Sequence, residues 1–161
     1  HRLGQGESDD LIDLAWKQVT AGKLAAPDHI RVRGREVGVP QAGAGAARFS
    51  FADLCEAPLG AADYAAISKR YHTVFVEGVP VMSQAQRNAA KRFIILIDTL
   101  YDRKNRLFIS AEADPDGLYL GSSGTESFEF ARTASRLNEM QSAAYLEASR
   151  AGQAAKATGG Q

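Results

Sequence analysis

Two arginines near the end of the chain have the residue type and spacing that suit anion recognition. Arg132 and Arg136 lie four residues apart, so they project from one face of a predicted helix. A guanidinium stays charged and can make two parallel hydrogen bonds to a phosphate group. The same helix offers a structural alternative, because Glu129 and Glu139 each lie three residues from one of the arginines. From spacing alone, a local salt-bridge ladder is favoured over an anion site.

Two carboxylates show a similar arrangement. Asp98 and Asp102 also lie four residues apart, near the end of another predicted helix. Paired carboxylates can serve as general acid and base, but the sequence places no nucleophile or oriented base beside them. Exposed acidic residues commonly pair with lysine or arginine instead. We therefore favour a solvated rim in which one of the two carboxylates pairs with a basic residue.

Phosphate-binding and hydrolase motifs are absent from the 161 residues. No G-x-x-x-x-G-K-[ST] sequence, G-x-S-x-G elbow or H-E-x-x-H pair occurs. The glycine-rich stretch 43–48 has arginine where a dinucleotide loop needs its third glycine, and a predicted strand follows it. His29 and His72 are far apart and Cys55 is the lone cysteine, so neither a metal site nor an internal disulfide is predicted. Neither ATP nor a metal ion is expected to bind tightly to this chain alone.

The composition is that of an ordinary folded domain. Apolar residues make up 45% of the chain and charged residues 24%, and 19 basic residues balance 19 acidic ones. A net charge near zero argues against a broad nucleic-acid-binding surface. The longest apolar run, Phe93–Ile97, is far shorter than the ~20 residues of a membrane-spanning helix. Collagen-like, largely disordered and disulfide-scaffold classes are excluded, and neither a nucleic-acid partner nor a transmembrane segment is predicted.

Helices and strands alternate along the chain and must position these side chains. Apolar periodicity and capping residues predict helices over 8–22, 60–71, 83–103 and 125–149. Alternating or β-branched residues predict a hairpin over 29–39 with its turn near Arg33–Arg35, a short strand around 49–51, and strands over 73–81 and 106–112. Residues 41–47 are expected to be a flexible connection. The alternation predicts an α/β fold, a layered mixed sheet with flanking helices.

Two apolar runs lead to finer expectations about burial. Leu107, Phe108 and Ile109 are consecutive, which favours a central position for their strand. Ile95 and Leu96 widen the apolar stripe of the helix over 83–103. That helix is therefore expected to be nearly surrounded by protein.

Helix ends and the C-terminal region give further expectations. Capping boxes are predicted at Ser83 with Gln86 and at Ser123 with Glu126. Residues 151–161 lack a periodic apolar face and are expected to be disordered. The last helix is expected to bury one stripe of side chains: Phe130, Ala134, Leu137, Gln141, Ala144 and Ala148.

Five segments together resemble one protein family. They are R-F-S-F-A-D-L-C-E-A-P-L-G-A-A-D-Y at 48–64, T-V-F-V-E-G-V-P at 73–80, K-R-F-I-I-L-I-D-T-L-Y-D at 91–102, L-F-I-S-A-E at 107–112 and F-E-F-A-R-T-A-S-R-L-N-E-M-Q-S-A-A-Y-L at 128–146. In this order they resemble the C-terminal part of the ZapE-like ATPases, also called the ATPase family gene one or lactation-elevated group. The resemblance divides the chain into a helix and linker (1–27), a family region (28–149) and a disordered tail (150–161).

The resemblance implies the C-terminal portion of an AAA-type P-loop NTPase that hydrolyses ATP with Mg²⁺ in its full-length form. It implies an upstream ATPase core as intramolecular partner, a homo-oligomer, and a role in cell division with a tubulin-like protein or in protein quality control. It also implies a cytoplasmic or membrane-peripheral location. AAA-type proteins commonly place a lid arginine on the γ-phosphate, so Arg132 and Arg136 become candidate nucleotide-sensing residues. Asp98 and Tyr101 are expected to hold their helix against its neighbours.

Two interpretations stay open at this point. The Walker A and Walker B motifs of the family have no counterpart in the sequence. The chain is then either a segment that contributes a lid, oligomer contacts or a partner surface to an ATPase, or a stand-alone non-catalytic interaction module from a truncated gene. In neither case is a catalytic residue assigned.

Overall fold

A computed structural model describes residues 5–121 and 124–150, with side chains from residue 10 onward. The described elements are α1 (Gln5–Thr20), β1 (Ala26–Val32), β2 (Arg35–Gly43), β3 (Ala46–Ser50), α2 (Phe51–Cys55), α3 (Ala61–Arg70), β4 (Thr73–Val79), α4 (Arg87–Asp102), β5 (Arg106–Ala111) and α5 (Gly124–Glu139). Short 3-10 turns cover Gln84–Gln86 and Pro115–Gly117, and residues 143–150 are again helical. Ser123 and the tail 151–161 lie outside the described residues, so the expectations placed on them stay predictions.

The five strands form one mixed sheet in the order β1-β2-β3-β4-β5. The pairs β1–β2 and β2–β3 are antiparallel, whereas the pairs β3–β4 and β4–β5 are parallel. Parallel neighbours require crossovers, which α2 with α3 and then α4 provide. The predicted α/β class, a mixed sheet with flanking helices, is confirmed.

Two tight turns fix the antiparallel part of the sheet. Arg33 and Gly34 have φ of 50° and 82°, and Ala44 and Gly45 have φ of 53° and 80°. Positive φ at both central residues is typical of the hairpin turns whose twist matches that of the strands. The turn near Arg33–Arg35 is therefore confirmed. The flexible connection expected over 41–47 is wrong, because this stretch ends β2, forms the second turn and begins β3.

The main core lies between one face of the sheet and helices α2 to α5. Alternate residues of the parallel strands point into it, and α4 contributes most of its apolar face. Phe93 of α4 packs between Phe51 and Phe130, with ring centroids 6.0 and 5.9 Å apart. The fully buried side chains of this core include Phe49, Leu54, Tyr64, Ile67, Leu96, Ile97 and Leu100.

A smaller apolar cluster lies on the opposite face, under α1. Ile12 and Trp16 of α1 cover Phe75 of β4, and Phe108 of β5 packs against the cluster. The Trp16 ring meets Phe75 edge-on at 5.0 Å, and Phe75 stacks on Phe108 at 4.6 Å. Arg48 of β3 holds the side of the helix by an ion pair. Both faces of β4 and β5 are thus covered.

The position expected for the strand 106–112 is wrong. Among the described strands, β5 pairs with β4 alone and lies at the edge of the sheet. Its apolar run has another physical cause, since Leu107 faces the main core while Phe108 faces α1. Consecutive apolar residues indicate coverage of two faces, which an edge strand can also have.

Two expectations about helix burial also need correction. Ile95 is 38% exposed, so α4 is an amphipathic helix with an open side and is not surrounded. The helix expected over 125–149 is interrupted after Glu139, because Ser142 Oγ accepts a hydrogen bond from Tyr145 N and starts a new helical segment. The interruption shifts the helical phase. Phe130, Ala134 and Leu137 are buried as expected, but Gln141, Ala144 and Ala148 are exposed, and Met140 and Tyr145 are buried in their place.

Candidate functional site

The two arginines of α5 meet a single carboxylate from α4. Arg136 Nη1 donates a hydrogen bond to Asp98 Oδ1, and Arg132 Nη2 lies 3.7 Å from Asp98 Oδ2. Each guanidinium group therefore contacts a different oxygen of the Asp98 carboxylate. The salt-bridge ladder within α5 is not the arrangement found, since both arginines pair across the helix interface.

The two arginines differ in how firmly they are held. The Arg136 side chain is 23% exposed, and its guanidinium carbon lies 4.9 Å from the centre of the Tyr101 ring. A cation over an aromatic face adds to the ion pair with Asp98. The Arg132 side chain is 59% exposed and has a long ion pair. Exposed pairs of this kind contribute about 1 kcal/mol at most, so Arg132 can leave Asp98 at little cost.

Tyr101 extends the cluster toward the chain end. Its hydroxyl donates to Glu139 Oε2 at 2.8 Å, which raises the pKa of Tyr101 because the neutral phenol is the hydrogen-bond donor. The ring stacks on Tyr145 at 5.9 Å, and Lys104 Nζ lies 4.7 Å from the Tyr101 ring centre. The expectation that Asp98 and Tyr101 hold α4 against its neighbours is confirmed.

Behind this surface a buried polar group ties together three helical segments and β5. Asn105 is fully buried and donates through Nδ2 to the carbonyl of Tyr71 at 2.7 Å. The Tyr145 hydroxyl donates to the Asn105 carbonyl at 2.5 Å, and burial raises the pKa of Tyr145. Ser68 donates to the Asn105 side chain. These residues fix the segment 143–150 to the C-terminal ends of α3 and α4.

The pairing of Asp98 with arginine confirms the interpretation that one of the two carboxylates has a basic partner. Asp102 is exposed and does not join the cluster. Glu139 belongs to the site but bonds to Tyr101 rather than to Arg136. Lys104, Asn105 and Tyr145 were missed by sequence reasoning, because no local spacing relates them to α5.

Other residues with potential chemistry have structural environments. Cys55 is buried, and burial raises the pKa of its thiol to about 12. His72 is held between Thr73 Oγ1 at 2.7 Å and the Ala44 carbonyl at 3.1 Å. Within residues 5–121 and 124–150, no group of three or more His, Cys, Asp or Glu side chains is placed to hold a metal ion. Over the same residues, no helix is long and apolar enough to cross a membrane.

A shallow cavity of about 160 Å³ opens beside the first turns of α5. Tyr119 and Phe130 form its apolar wall, and their rings stack at 5.6 Å. Asp116 and Ser127 supply polar atoms at its edge. The cavity is smaller than the roughly 300 Å³ at which ordinary ligand pockets begin, so it has no room for a nucleotide.

Parallel strands joined by helical crossovers make this molecule an α/β protein, an architecture consistent with a P-loop NTPase-like fold. Its sequence matches the profile of the AFG1-like ATPase family over residues 2–149. This chain belongs to the AFG1-like ATPase family.

Curated relatives from distant organisms support the assignment. The chain is 35% identical to the cell division protein ZapE of Escherichia coli K12 over 141 residues, which is 88% of this chain and 37% of the relative. It is 32% identical to lactation elevated protein 1 homolog B of Danio rerio over 163 residues, covering 83% of this chain and 32% of the relative. An uncharacterized protein of Schizosaccharomyces pombe is 34% identical over 148 residues, covering 76% and 33%. The chain thus spans about a third of the length of these relatives. No solved structure matches it.

Proposed function

We propose that this chain is the C-terminal segment of an ATPase that binds and hydrolyses ATP with Mg²⁺. We also propose that Arg132 contacts a phosphate of the nucleotide bound by an upstream core. The observation that carries the proposal is the unequal sharing of Asp98. Arg136 is fixed by hydrogen bonding and ring stacking, whereas Arg132 is exposed and weakly paired. A phosphate oxygen can therefore recruit Arg132 without dismantling the contact between α4 and α5.

In this proposal the two arginines have separate tasks. Arg136 is a positioning residue that holds α5 against α4 through Asp98 and Tyr101. Arg132, one helical turn earlier, presents its guanidinium to the phosphate. An arginine aimed at charge that develops during phosphoryl transfer stabilises the transition state more than the ground state.

The cellular role is also proposed by similarity. One relative carries the name cell division protein. We extend that role to this protein, with a homo-oligomer as the active form and a tubulin-like division protein as partner. The proposed location is the cytoplasm or the membrane periphery.

The test is ATP turnover by the full-length protein with single replacements in α5. Arg132→Ala is expected to lower kcat by at least about tenfold, because one charged contact to the transferred phosphate is lost. The melting temperature should change little, since this side chain is exposed. Arg136→Ala is expected to lower the melting temperature as well, because it removes the hydrogen bond to Asp98 and the stack on Tyr101.

Arg103→Ala supplies the matched control. Arg103 is an exposed arginine at the end of α4, outside the Asp98 cluster. Its replacement should leave both turnover and melting temperature unchanged. Wild-type kcat in the Arg132→Ala protein would remove the nucleotide-responsive role of Arg132. A folded protein that is indifferent to nucleotide would instead favour the alternative of a non-catalytic interaction module.

A further inference from the structure

The two edges of the sheet differ in how they are protected. The β1 edge contains Pro27, a register irregularity between Ala26 and Asp28, and charged side chains at Asp28 and Arg31. Proline, irregular register and charge are the usual means by which an edge strand avoids pairing with another chain. The β5 edge has neither proline nor charge between Arg106 and Glu112, where the sequence is L-F-I-S-A, and the register irregularity of its ladder, between Val76 and Val79, lies on β4.

Among the described residues, none hydrogen-bonds to the main-chain groups on the outer side of β5, the side away from β4. Arg106 N donates to the His72 carbonyl at 3.0 Å, and Glu112 N donates to the Val79 carbonyl at 2.9 Å. Both residues therefore direct their amides toward β4, and direction alternates along a strand. Within the part of the chain that the structure describes, hydrogen bonds beyond this ladder involve none of the outward-facing backbone groups of Leu107, Ile109 and Ala111.

We propose that β5 pairs with β5 of a second copy of this chain, antiparallel and around a two-fold axis at Ile109. A two-fold axis between antiparallel strands passes between directly opposite residues, so one residue must face itself. Ile109 is the middle one of the three residues whose backbone N–H and C=O groups point away from β4. With Ile109 on the axis, Leu107 lies opposite Ala111 of the second copy, and every outward amide gains a carbonyl partner.

Charge complementarity at the ends of the strand selects this partner and register. With Ile109 on the axis, Arg106 of each copy lies opposite Glu112 of the other. Both side chains are exposed, and directly opposite residues of a non-hydrogen-bonded pair have their side chains close together. Glu112 Oε1 already accepts from Val81 N at 2.8 Å, which leaves its second oxygen for an arginine across the interface.

The helix above this edge supplies apolar surface on the same side. Leu11 and Asp13 point about 200° apart around α1. Asp13 contacts Arg48 of β3, so Leu11 lies on the opposite side of the helix, toward the open edge of β5. Leu11 is 52% exposed in one copy. A continuous sheet of two copies places the two α1 helices on one face with their Leu11 sides toward each other.

The experiment is sedimentation equilibrium of the 161-residue chain over a wide concentration range. The unmodified chain should show a reversible monomer–dimer equilibrium. Arg106→Glu and Glu112→Arg should each weaken dimerisation by at least about tenfold, because the two-fold axis turns two attractive pairs into two repulsive ones. The double variant, with both charges exchanged, should restore the dimer.

Two controls separate the interface from folding. Circular dichroism and thermal melting should show that each variant is folded, and Arg106→Gln, which removes the charge without reversing it, should weaken the dimer to a smaller extent. Arg31→Glu places the same charge change on the β1 edge and should leave dimerisation unaffected. The proposal would be overturned if the unmodified chain stayed monomeric or if neither single charge reversal weakened the dimer. It would also be overturned if the double variant failed to restore dimerisation.

Discussion

At the scale of single residues, Asp98 determines how α4 and α5 meet. It is the carboxylate that both arginines of α5 contact, and its own side chain is 28% exposed. The sequence could predict that Arg132 and Arg136 share a face, because four-residue spacing depends only on helix geometry. It could not predict Asp98 as their common partner. That contact joins residues 38 positions apart in the case of Arg136, which local spacing does not encode.

Replacing Asp98 tests this reading of the interface. Asp98→Asn is expected to lower the free energy of unfolding by about 1 to 2 kcal/mol, because Arg136 keeps a partly buried charge without an anionic partner. Asp102→Asn, one turn further along α4 and exposed, should change it by less than about 0.5 kcal/mol. Urea unfolding followed by circular dichroism measures both. Equal effects of the two replacements would show that the Asp98 contacts contribute nothing specific.

At the scale of elements, the β1–β2 hairpin is attached to α3 at both of its ends. Near the turn, Arg35 Nη2 lies 2.6 Å from Asp63 Oδ1. At the start of β1, Asp28 Oδ2 accepts hydrogen bonds from Tyr71 OH at 2.8 Å and Arg70 Nη2 at 3.1 Å. The amide of His29 donates to the other Asp28 oxygen. These contacts hold the hairpin as a rigid extension of the parallel sheet.

Acid should loosen the Asp28 attachment. The backbone hydrogen bond from His29, followed by the bond from Tyr71, holds the pKa of Asp28 below its ordinary value of 3.8. Because the pKa is lower in the folded protein, the Asp28 carboxylate stabilises the fold at pH values above its pKa in the unfolded chain. This contribution disappears as the pH falls through the pKa of the folded protein.

Asp28→Asn is therefore expected to be less stable than the parent chain near neutral pH, with the difference shrinking below pH ~4. Urea unfolding at several pH values measures the difference. Asp116→Asn, which alters an exposed carboxyl on the loop before α5, is the control for losing a surface charge. A difference between parent and Asp28→Asn that stays constant down to the lowest pH at which both fold would contradict the assignment.

Local patterns predicted most elements of this fold but not their neighbours. The hairpin turn at Arg33 was predictable because glycine follows it where positive φ is needed. The edge position of β5 was not, because an apolar run reports burial of both faces and says nothing about which strands pair beside it. The end of α5 was missed for a related reason, since Ser142 starts a new segment within a stretch that still has helical composition.

At the scale of the whole molecule, the two faces of the sheet are covered by different elements. The helix face carries the main core and the arginine cluster, whereas α1 covers the opposite face and leaves β5 open at the edge. The chain spans about a third of the length of its curated relatives, and its 161 residues include no G-x-x-x-x-G-K-[ST] sequence. In the proposed function, nucleotide chemistry takes place in an upstream core, and this chain is the part that responds to it.

The most direct test is ATP hydrolysis by the 161-residue chain alone beside the full-length protein, under the same conditions. The proposed function predicts Mg²⁺-dependent hydrolysis by the full-length protein and none by the chain alone. Hydrolysis by the 161-residue chain would contradict it, because the chemistry would then require a phosphate site within a sequence that has no P-loop.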